Sequence, residues 1–255
     1  MKHGLKRAGD CLRDLLLPPK CAGCRQLLQP FVPDPDFLCP LCRTAFAASG
    51  QACRLRFPDI VHDIVPDAAD PDGKRPAVHA ALCLYDPADP DGVPQRVIYR
   101  IKHNRDRRVF DGLGRALAAR VRSCLADAGI PADRVICAYP PRKAASVRRE
   151  GVDQAKELAE RTAACLGVPC VPLFVRAGRS GAVQKELNAA DRKAQASGTY
   201  CLNAKRAHDA AGMYVILVDD VCTTGATLDA LSVLAREAGA AGTVRVTVGR
   251  TAERE

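Results

Sequence analysis

The sequence predicts an α/β fold, in which a mostly parallel sheet carries helices on both faces and a small N-terminal zinc ribbon precedes it. The first observation is the alternation of strand-like and helix-like segments from residue 77 onward. The second is residues 214–218, a continuous apolar run typical of a strand buried on both faces. The third is a pair of Cys-x-x-Cys motifs near the N-terminus. We therefore expect a cysteine module at 1–57, a Pro- and Asp-rich linker at 58–76 and the main domain at 77–255.

Composition limits the classes of function. The chain has 255 residues, of which 47% are hydrophobic, and this supports a packed core. Aromatic residues make up 4% and Trp is absent, which argues against a stacking platform for single-stranded nucleic acid. A net charge of +9 is compatible with a polyphosphate ligand or with nucleic acid. Because the basic residues are dispersed among acidic ones, the charge alone does not decide whether the chain binds nucleic acid directly. Leu15 to Leu17 is too short for a signal peptide and no apolar run is long enough for a membrane, so we expect a cytoplasmic protein.

The N-terminal module has the spacing of a metal site. After a short helix expected at 8–17 and ended by two prolines come the thiols of Cys21, Cys24, Cys39 and Cys42. Two such knuckles place four thiolates at the corners of a tetrahedron, the arrangement of structural Zn²⁺. The alternative is four reduced thiols in an unfolded segment. Cys53 stands alone and predicts no second metal site.

The main domain is expected to alternate as follows. Strands are predicted at 77–85, 135–139, 170–175, 214–218 and 243–249 because these segments are apolar and bounded by turn residues. Helices are predicted at 97–102, 110–128 and 152–166, and after residue 227 as far as Gly239. In the second of these, Leu113, Leu117, Val121 and Leu125 recur at helical spacing.

The segment after strand 214–218 carries the clearest chemistry. Asp219 and Asp220 stand where the strand ends, and a hydroxyl-rich turn then opens a helix. The first N–H groups of a helix attract anions. The turn that would hold a phosphate consists of Thr223, Thr224, Gly225, Ala226 and Thr227. Carboxylates suit sugar hydroxyls or Mg²⁺, so the two halves together predict a ribose 5-phosphate site. The alternative is an ordinary strand–helix turn with an Asp-Asp cap.

This segment resembles the phosphoribosyl pyrophosphate (PRPP) signature of type I phosphoribosyltransferases. The resemblance implies that Asp219 and Asp220 hold the ribose hydroxyls, directly or through Mg²⁺, as the catalytic acidic pair, and that residues 223–227 wrap the 5-phosphate. Pyrophosphate would need cations, for which Lys102, Arg142 and Lys143 are the candidates; the alternative is a solvated loop. Arg148 and Arg149, expected at a helix start, are weaker candidates. The charged segment 176–192 is expected to form a hood, with Gln184 and Arg192 as its contacts.

Taken over nearly the whole chain, the sequence is similar to the ComF family, a zinc ribbon followed by a phosphoribosyltransferase domain associated with DNA uptake in competent bacteria. The segments that carry the resemblance are 98–103, 148–154 and 184–192. Glu150 and Asp153 depart from the family's Arg and Asn, Gln195 from its Asn, and a third Cys-x-x-Cys is reduced to Cys53. Two hypotheses follow. The chain is an enzyme that transfers phosphoribosyl to an unidentified acceptor, or a non-catalytic ribose-phosphate-binding scaffold whose ribbon docks a DNA-uptake partner.

Overall fold

A computed structural model describes residues 18–28, 36–57, 78–103, 106–177 and 199–251. The predicted N-terminal helix at 8–17, the linker at 58–76, and Gln184, Arg192 and Gln195 lie outside the described residues. No helix in the described part of the chain is long and apolar enough to cross a bilayer.

The centre of the fold is a four-stranded sheet. Its strands are β1 (Val78–Leu84), β2 (Val135–Ala138), β5 (Tyr214–Cys222) and β6 (Gly242–Arg250). They lie in the order β1-β6-β5-β2 and every pair is parallel. The four residues of β2 and Val215 to Val218 of β5 are all buried, as expected for strands covered on both faces. The predicted fold class is confirmed.

Helices cover both faces of this sheet. The described helices are α1 (Pro40–Arg56), α2 (Val93–His103), α3 (Arg107–Asp127), α4 (Ala144–Glu150), α5 (Gln154–Leu166) and α6 (Ala226–Glu237). On one face Leu113 and Leu117 of α3 pack with Leu158 of α5 and the even-numbered side of β5. On the other face Leu228 and Leu231 of α6 pack with the odd-numbered side. The alternation within β5 divides the core into these two clusters.

The 17-residue helix α1 was not predicted. It begins directly after Cys39, with Pro40 at its first position, where proline is favourable because its missing N–H would have had no partner. Its Ser49 hydroxyl donates to the Leu84 carbonyl (3.3 Å) and accepts from the Leu84 N–H (3.1 Å). Gly50 lies so close to β1 that an added Cβ would stand 2.5 Å from the Leu82 carbonyl oxygen. Helix α1 therefore covers the outer edge of β1, an edge that would otherwise be open to pairing.

The cysteine module packs into the same core as the sheet. A Cβ added at Gly112 in α3 would meet the Phe37 ring at 2.2 Å, which shows how closely that ring lies on the helix. Gly23 similarly lies against Val93, the first residue of α2. The described parts of this module, residues 18–28 and 36–57, thus make close contacts with α2 and α3.

One predicted strand and one unpredicted helix differ from expectation. The strand expected at 170–175 is reduced to a single bridge between Cys170 and Cys137, followed by β3 (Phe174–Arg176). The pairing with β2 ends there because the Leu173 N–H donates to the Val171 carbonyl (2.8 Å) instead of continuing the ladder. β3 instead pairs antiparallel with β4 (Tyr200–Leu202) in a separate two-stranded sheet. The short helix α4, which precedes α5, was also missed.

Candidate functional site

A cavity of about 340 Å³ opens at the carboxyl edge of the sheet, between the end of β5, the segment after β2 and the end of α2. Six residues predicted from the sequence line it together: Lys102, Arg142, Lys143, Asp219, Asp220 and Thr227. The ends of parallel strands meet at one edge, and this brings together groups that are far apart in sequence. The cavity therefore combines an acidic pair with a cationic wall.

The acidic pair lies within the last residues of β5 rather than after it. The predicted strand end at 218 was too early, because β6 continues alongside and its Thr247 pairs with Asp219. The Asp220 N–H donates to Asp219 Oδ1 (2.8 Å), and the Val221 N–H donates to Asp220 Oδ1 (2.7 Å). These bonds fix both carboxyl groups at the cavity wall.

The surroundings of Asp219 make it a binding group for positive or donating ligands. Burial, and then the neighbouring Asp220 charge, raise the pKa of Asp219 well above its usual range, while Lys102 opposes this rise. An ionised pair is therefore costly until a donor or cation compensates it. Two adjacent carboxylates supply the hard oxygen donors that Mg²⁺ prefers and the acceptors that sugar hydroxyls need, so the residues present fit both.

The turn after β5 leads into the N-terminus of α6. Gly225 has φ 80°, a left-handed conformation that favours glycine, and it precedes the first helical residue Ala226. Thr224 Oγ1 accepts from the Ala226 N–H (3.4 Å). The Thr251 hydroxyl donates to the Thr223 carbonyl (3.2 Å), which ties the turn to the end of β6.

Within this turn the predicted phosphate cradle is only partly in the cavity wall. Thr227 lines the cavity, whereas residues 223–226 form the turn beside it, with Thr223 and Thr224 exposed. The helix N-terminus and the acidic pair nevertheless lie at the same edge of the sheet. A 12-residue helix begins here, and its first N–H groups, which have no partner within the helix, are suited to an anion.

The cationic wall is organised around Gln154, which is 1% exposed. Its amide Nε2 donates to the Lys102 carbonyl (3.1 Å) and to Glu150 (3.2 Å). Arg142 donates to the Gln154 side-chain oxygen and to Glu150 Oε2, the latter at 2.7 Å. This network joins the end of α2 to the loop after β2, and it pairs Arg142 with a carboxylate inside the protein. Gln154 falls within the segment 148–154 that resembles the ComF family, but no role was predicted for it from the sequence.

The two acidic departures have different structural reasons. Desolvation opposes ionisation of Glu150, but hydrogen bonds from Gln154, Arg149 and Arg142 hold its pKa below the usual value. Asp153 is the N-cap of α5 and accepts from the Lys156 N–H (3.3 Å), a role that Asn and Asp share.

The prediction that placed Arg148 and Arg149 at a helix start was wrong. Both lie in the last turn of α4, where the helix dipole favours cations. The helix dipole therefore gives no reason to expect an anionic partner at these two residues.

The strands β3 and β4 contribute two lining residues that the sequence did not identify. The Arg176 guanidinium stacks 5.2 Å from the centre of the Tyr200 ring, and both side chains line the cavity. Arg176 also donates to the Pro141 carbonyl (3.4 Å) in the segment after β2. The only sequence signal was the position of Arg176 at the start of the predicted hood. Ser146 of α4 is a further lining residue without a sequence signal.

The four thiols of the N-terminal module form one cluster, and their sulfur atoms all lie within 4.8 Å of one another. A tetrahedron with Zn–S bonds of about 2.3 Å has sulfur–sulfur edges of about 3.8 Å, so the cluster fits a zinc ribbon. Cys24 Sγ and Cys39 Sγ are 3.6 Å apart. The Cys39 N–H donates to Cys21 Sγ (3.2 Å), as expected for a sulfur that carries negative charge.

The environment of these thiols favours a bound cation. Burial, and then neighbouring thiols, raise the pKa of Cys42 far above the usual thiol range. Burial also opposes ionisation of Cys21, but hydrogen bonds from the N–H groups of Cys39, Cys24 and Gly23 lower its pKa to about 7. Cys53 lies apart from the cluster, buried in α1. Among the residues that the structure describes, this cluster is the one group with metal-ligand spacing.

Comparison with known proteins gives only distant likenesses. No family model matches the chain, and no curated protein does. The allosteric regulatory enzyme of purine biosynthesis matches at 17% identity with a TM-score of 0.34, over 54% of this chain and 25% of its own. The glutamine PRPP amidotransferase from B. subtilis, complexed with ADP and GMP, matches at 20% identity with a TM-score of 0.35, again over 54% and 25%. The PRPP synthetase from Mycobacterium smegmatis matches at 19% identity with a TM-score of 0.34, over 54% of this chain and 33% of the synthetase chain.

This chain therefore spans a quarter to a third of the length of those proteins, and so slight a likeness does not bear on its ligand. The fold and the cavity define an α/β protein with an acidic pair, a helix N-terminus and a cationic wall at one sheet edge.

Proposed function

We propose that this chain binds PRPP and transfers its phosphoribosyl group to an acceptor, with pyrophosphate as the leaving group. The observation that carries the proposal is the single cavity in which Asp219, Asp220 and Thr227 face Lys102 and Arg142. PRPP has a phosphate at one end, ribose hydroxyls in the middle and a pyrophosphate at the other end. These three parts need, in the same order, an anion site, hydrogen-bond-accepting oxygens and cationic side chains.

Each group has a defined task in the reaction. The turn at 223–227 and the first N–H groups of α6 bind the 5-phosphate, and the carboxylates of Asp219 and Asp220 accept from the ribose hydroxyls. Lys102, Arg142 and Lys143 attract the pyrophosphate. Bound Mg²⁺, for which the acidic pair provides suitable oxygens, would supply charge neutralisation of the leaving group.

The chemical step is displacement at ribose C1. The bond from C1 to the pyrophosphate oxygen breaks with its electron pair on pyrophosphate, and the transition state has oxocarbenium character. The lone pair of the acceptor nitrogen forms the new bond to C1, and a proton carried by that nitrogen passes to the released pyrophosphate. Gln184 and Arg192, the predicted hood contacts, lie outside the described residues, and their role stays a prediction.

For the N-terminal module we propose one structural Zn²⁺, held by Cys21, Cys24, Cys39 and Cys42. The close approach of the sulfurs and the raised pKa of Cys42 support it, because a cation is needed before all four can be thiolates. The domain limits proposed are 1–57 for this module, 58–76 for the linker and 77–255 for the transferase domain.

A second candidate is a ComF-like scaffold that binds the ribose phosphate without turnover and acts in DNA uptake. One observation favours it: Glu150 already neutralises Arg142, so the wall offers less charge to a leaving pyrophosphate. In that case the ribbon would dock a partner protein.

Pyrophosphate release from PRPP, measured across a panel of bases and amines with Mg²⁺ present, separates the two. Acceptor-dependent release that is lost in Asp219→Asn/Asp220→Asn supports the enzyme. The matched control is Asp133→Asn, an exposed aspartate at the opposite edge of the sheet. Calorimetric binding of PRPP without release under any acceptor supports the scaffold, and no binding at all refutes both.

A further inference from the structure

A second cavity of about 310 Å³ lies beside the first, between the turn that follows β1 and the length of α2. Tyr85, Ile98 and Tyr99 form part of its wall, and Lys102 lines both cavities, so the two cavities adjoin at this residue. We propose that the second cavity binds a planar aromatic carboxylate and that this ligand is the phosphoribosyl acceptor. The acceptor role rests on the function proposed above, whereas the binding site stands on its own geometry.

The floor of the second cavity depends on a glycine. A Cβ added at Gly249 in β6 would stand 2.7 Å from Ile98 Cδ1 and 3.0 Å from Tyr85 Cβ, so only glycine lets both side chains settle over the strand. The Tyr85 N–H donates to the Arg250 carbonyl (2.9 Å), which holds the tyrosine at the end of β6. The second cavity is thus at the same carboxyl edge of the sheet as the acidic pair, the edge where ligands of parallel sheets bind.

The rim of the second cavity is held in place by the turn after β1. Gln95 Nε2 donates to the Asp86 carbonyl (2.8 Å), and Arg96 donates to Asp91 Oδ1 (2.8 Å). Both bonds join the first turns of α2 to the turn beside it. The cavity therefore exists before a ligand arrives, as small-molecule sites usually do.

The chemistry of the wall selects the ligand. The Tyr99 ring is 65% exposed and lies 4.4 Å from the His103 ring, so it presents an aromatic face for stacking. Arg100 adds a cation, Arg96 adds a guanidinium that is paired with Asp91, and Lys102 adds a cation at the boundary with the first cavity. None of the described residues that line the cavity is acidic. Aromatic faces with cations fit a flat ring that bears a carboxylate, since charge-assisted hydrogen bonds to carboxylates are strong.

Such a ligand can complete the reaction at C1. A ring or amino nitrogen beside the carboxylate supplies the lone pair for the new N–C1 bond, while the C1–O bond breaks toward pyrophosphate. An amino nitrogen passes its proton to the released pyrophosphate. Because Lys102 lines both cavities, the acceptor would be bound next to the cavity proposed for PRPP.

Fluorescence titration of the full-length, zinc-loaded chain with 2-aminobenzoate tests the site, first alone and then with PRPP and Mg²⁺. We expect saturable binding, and we expect benzamide, which lacks the charge, not to compete while benzoate does. Arg100→Gln should weaken binding about tenfold, the loss typical for one charged hydrogen bond. Gly249→Ala should weaken it as well, because the added Cβ would displace the lining side chains of Ile98 and Tyr85. Arg134→Gln is the matched control, because its guanidinium bonds the Gly212 carbonyl at the opposite edge of the sheet.

The outcomes are separable. Binding that Arg100→Gln loses and Arg134→Gln keeps supports the site even when PRPP fails to bind, a failure that would count against the proposed function alone. No binding of 2-aminobenzoate with or without PRPP, or equal binding in both variants, overturns the inference. Displacement of 2-aminobenzoate by a short DNA oligonucleotide that binds more tightly also overturns it, in favour of nucleic acid. A folding defect in Gly249→Ala leaves the decision to Arg100→Gln.

Discussion

Replacement of Glu150 by Gln is expected to tighten PRPP binding. Arg142 lines the ligand cavity but donates to Glu150 at 2.7 Å, and the two side chains are 30% and 15% exposed. Gln keeps an oxygen that can accept from Arg142, so the substitution removes the charge and not the hydrogen bond. The guanidinium charge is then available to the pyrophosphate, and one negative charge beside the site is gone.

The size of the effect follows from the partial exposure of the pair. An ion pair that is partly exposed contributes about 1 kcal/mol. Relief of repulsion with a multiply charged ligand adds up to a similar amount, so the total is about 1–2 kcal/mol. This corresponds to binding about 5- to 30-fold tighter. Because Arg142 is on the pyrophosphate side, ribose 5-phosphate should bind equally to both proteins.

Titration calorimetry with PRPP and Mg²⁺ measures the change, and ribose 5-phosphate serves as the second ligand. Glu160→Gln is the matched control, because Glu160 forms an exposed pair with Lys156 at 3.7 Å on the outside of α5. Equal or weaker PRPP binding in Glu150→Gln would show that the carboxylate positions Arg142 rather than competing for it.

Three further outcomes are expected. Ser49→Ala should lower the free energy of unfolding by about 1–2 kcal/mol, because two hydrogen bonds to the edge strand are lost. Thr44→Ala, on the exposed side of α1, should change the free energy of unfolding by less than about 0.5 kcal/mol. Urea unfolding measures both variants, and equal effects would contradict the edge-covering role of α1. Asp219→Asn should raise the thermal stability of the ligand-free protein at neutral pH while PRPP binding is lost. The raised pKa of Asp219 means that stability falls as pH rises through its folded pKa, so this gain should vanish below about pH 4, and a gain that persists there would contradict it. Cys42→Ser should lower the zinc content, measured by elemental analysis, below one ion per chain and should reduce thermal stability. Cys201→Ser, which replaces an exposed thiol, should change neither property. A full zinc ion per chain in Cys42→Ser would exclude the ribbon.

Local patterns in the sequence predicted the sheet and the acidic end of β5. Val215 to Val218 form a run that is apolar at every position, and this signal depends on no other part of the chain. Cys21 to Cys42 were equally predictable, because metal ligands must recur at fixed spacing. The bonds of Thr251 to the turn, by contrast, join residues that no local pattern connects.

What the sequence did not predict depends on contacts between distant segments. The pairing of Arg142 with Glu150 and Gln154 requires α4 and α5 to be placed first, and Arg148 was misassigned for the same reason. Helix α1 has a weakly amphipathic sequence, and its position is set by Gly50 against β1, a contact visible only once the strand is in place.

The order of strands in the sheet has a consequence for synthesis on the ribosome. The first strand made, β1, pairs with the last, β6; the His79 ring and the Thr247 hydroxyl meet across 168 residues of sequence. One side of β1 therefore has no strand partner until almost the entire described chain has emerged, and contacts of this range make folding slow. Ser49 of α1, made just before β1, bonds its other edge early. A nascent chain stalled before residue 242 would expose the unpaired side of β1, which makes chaperone demand greatest late in translation.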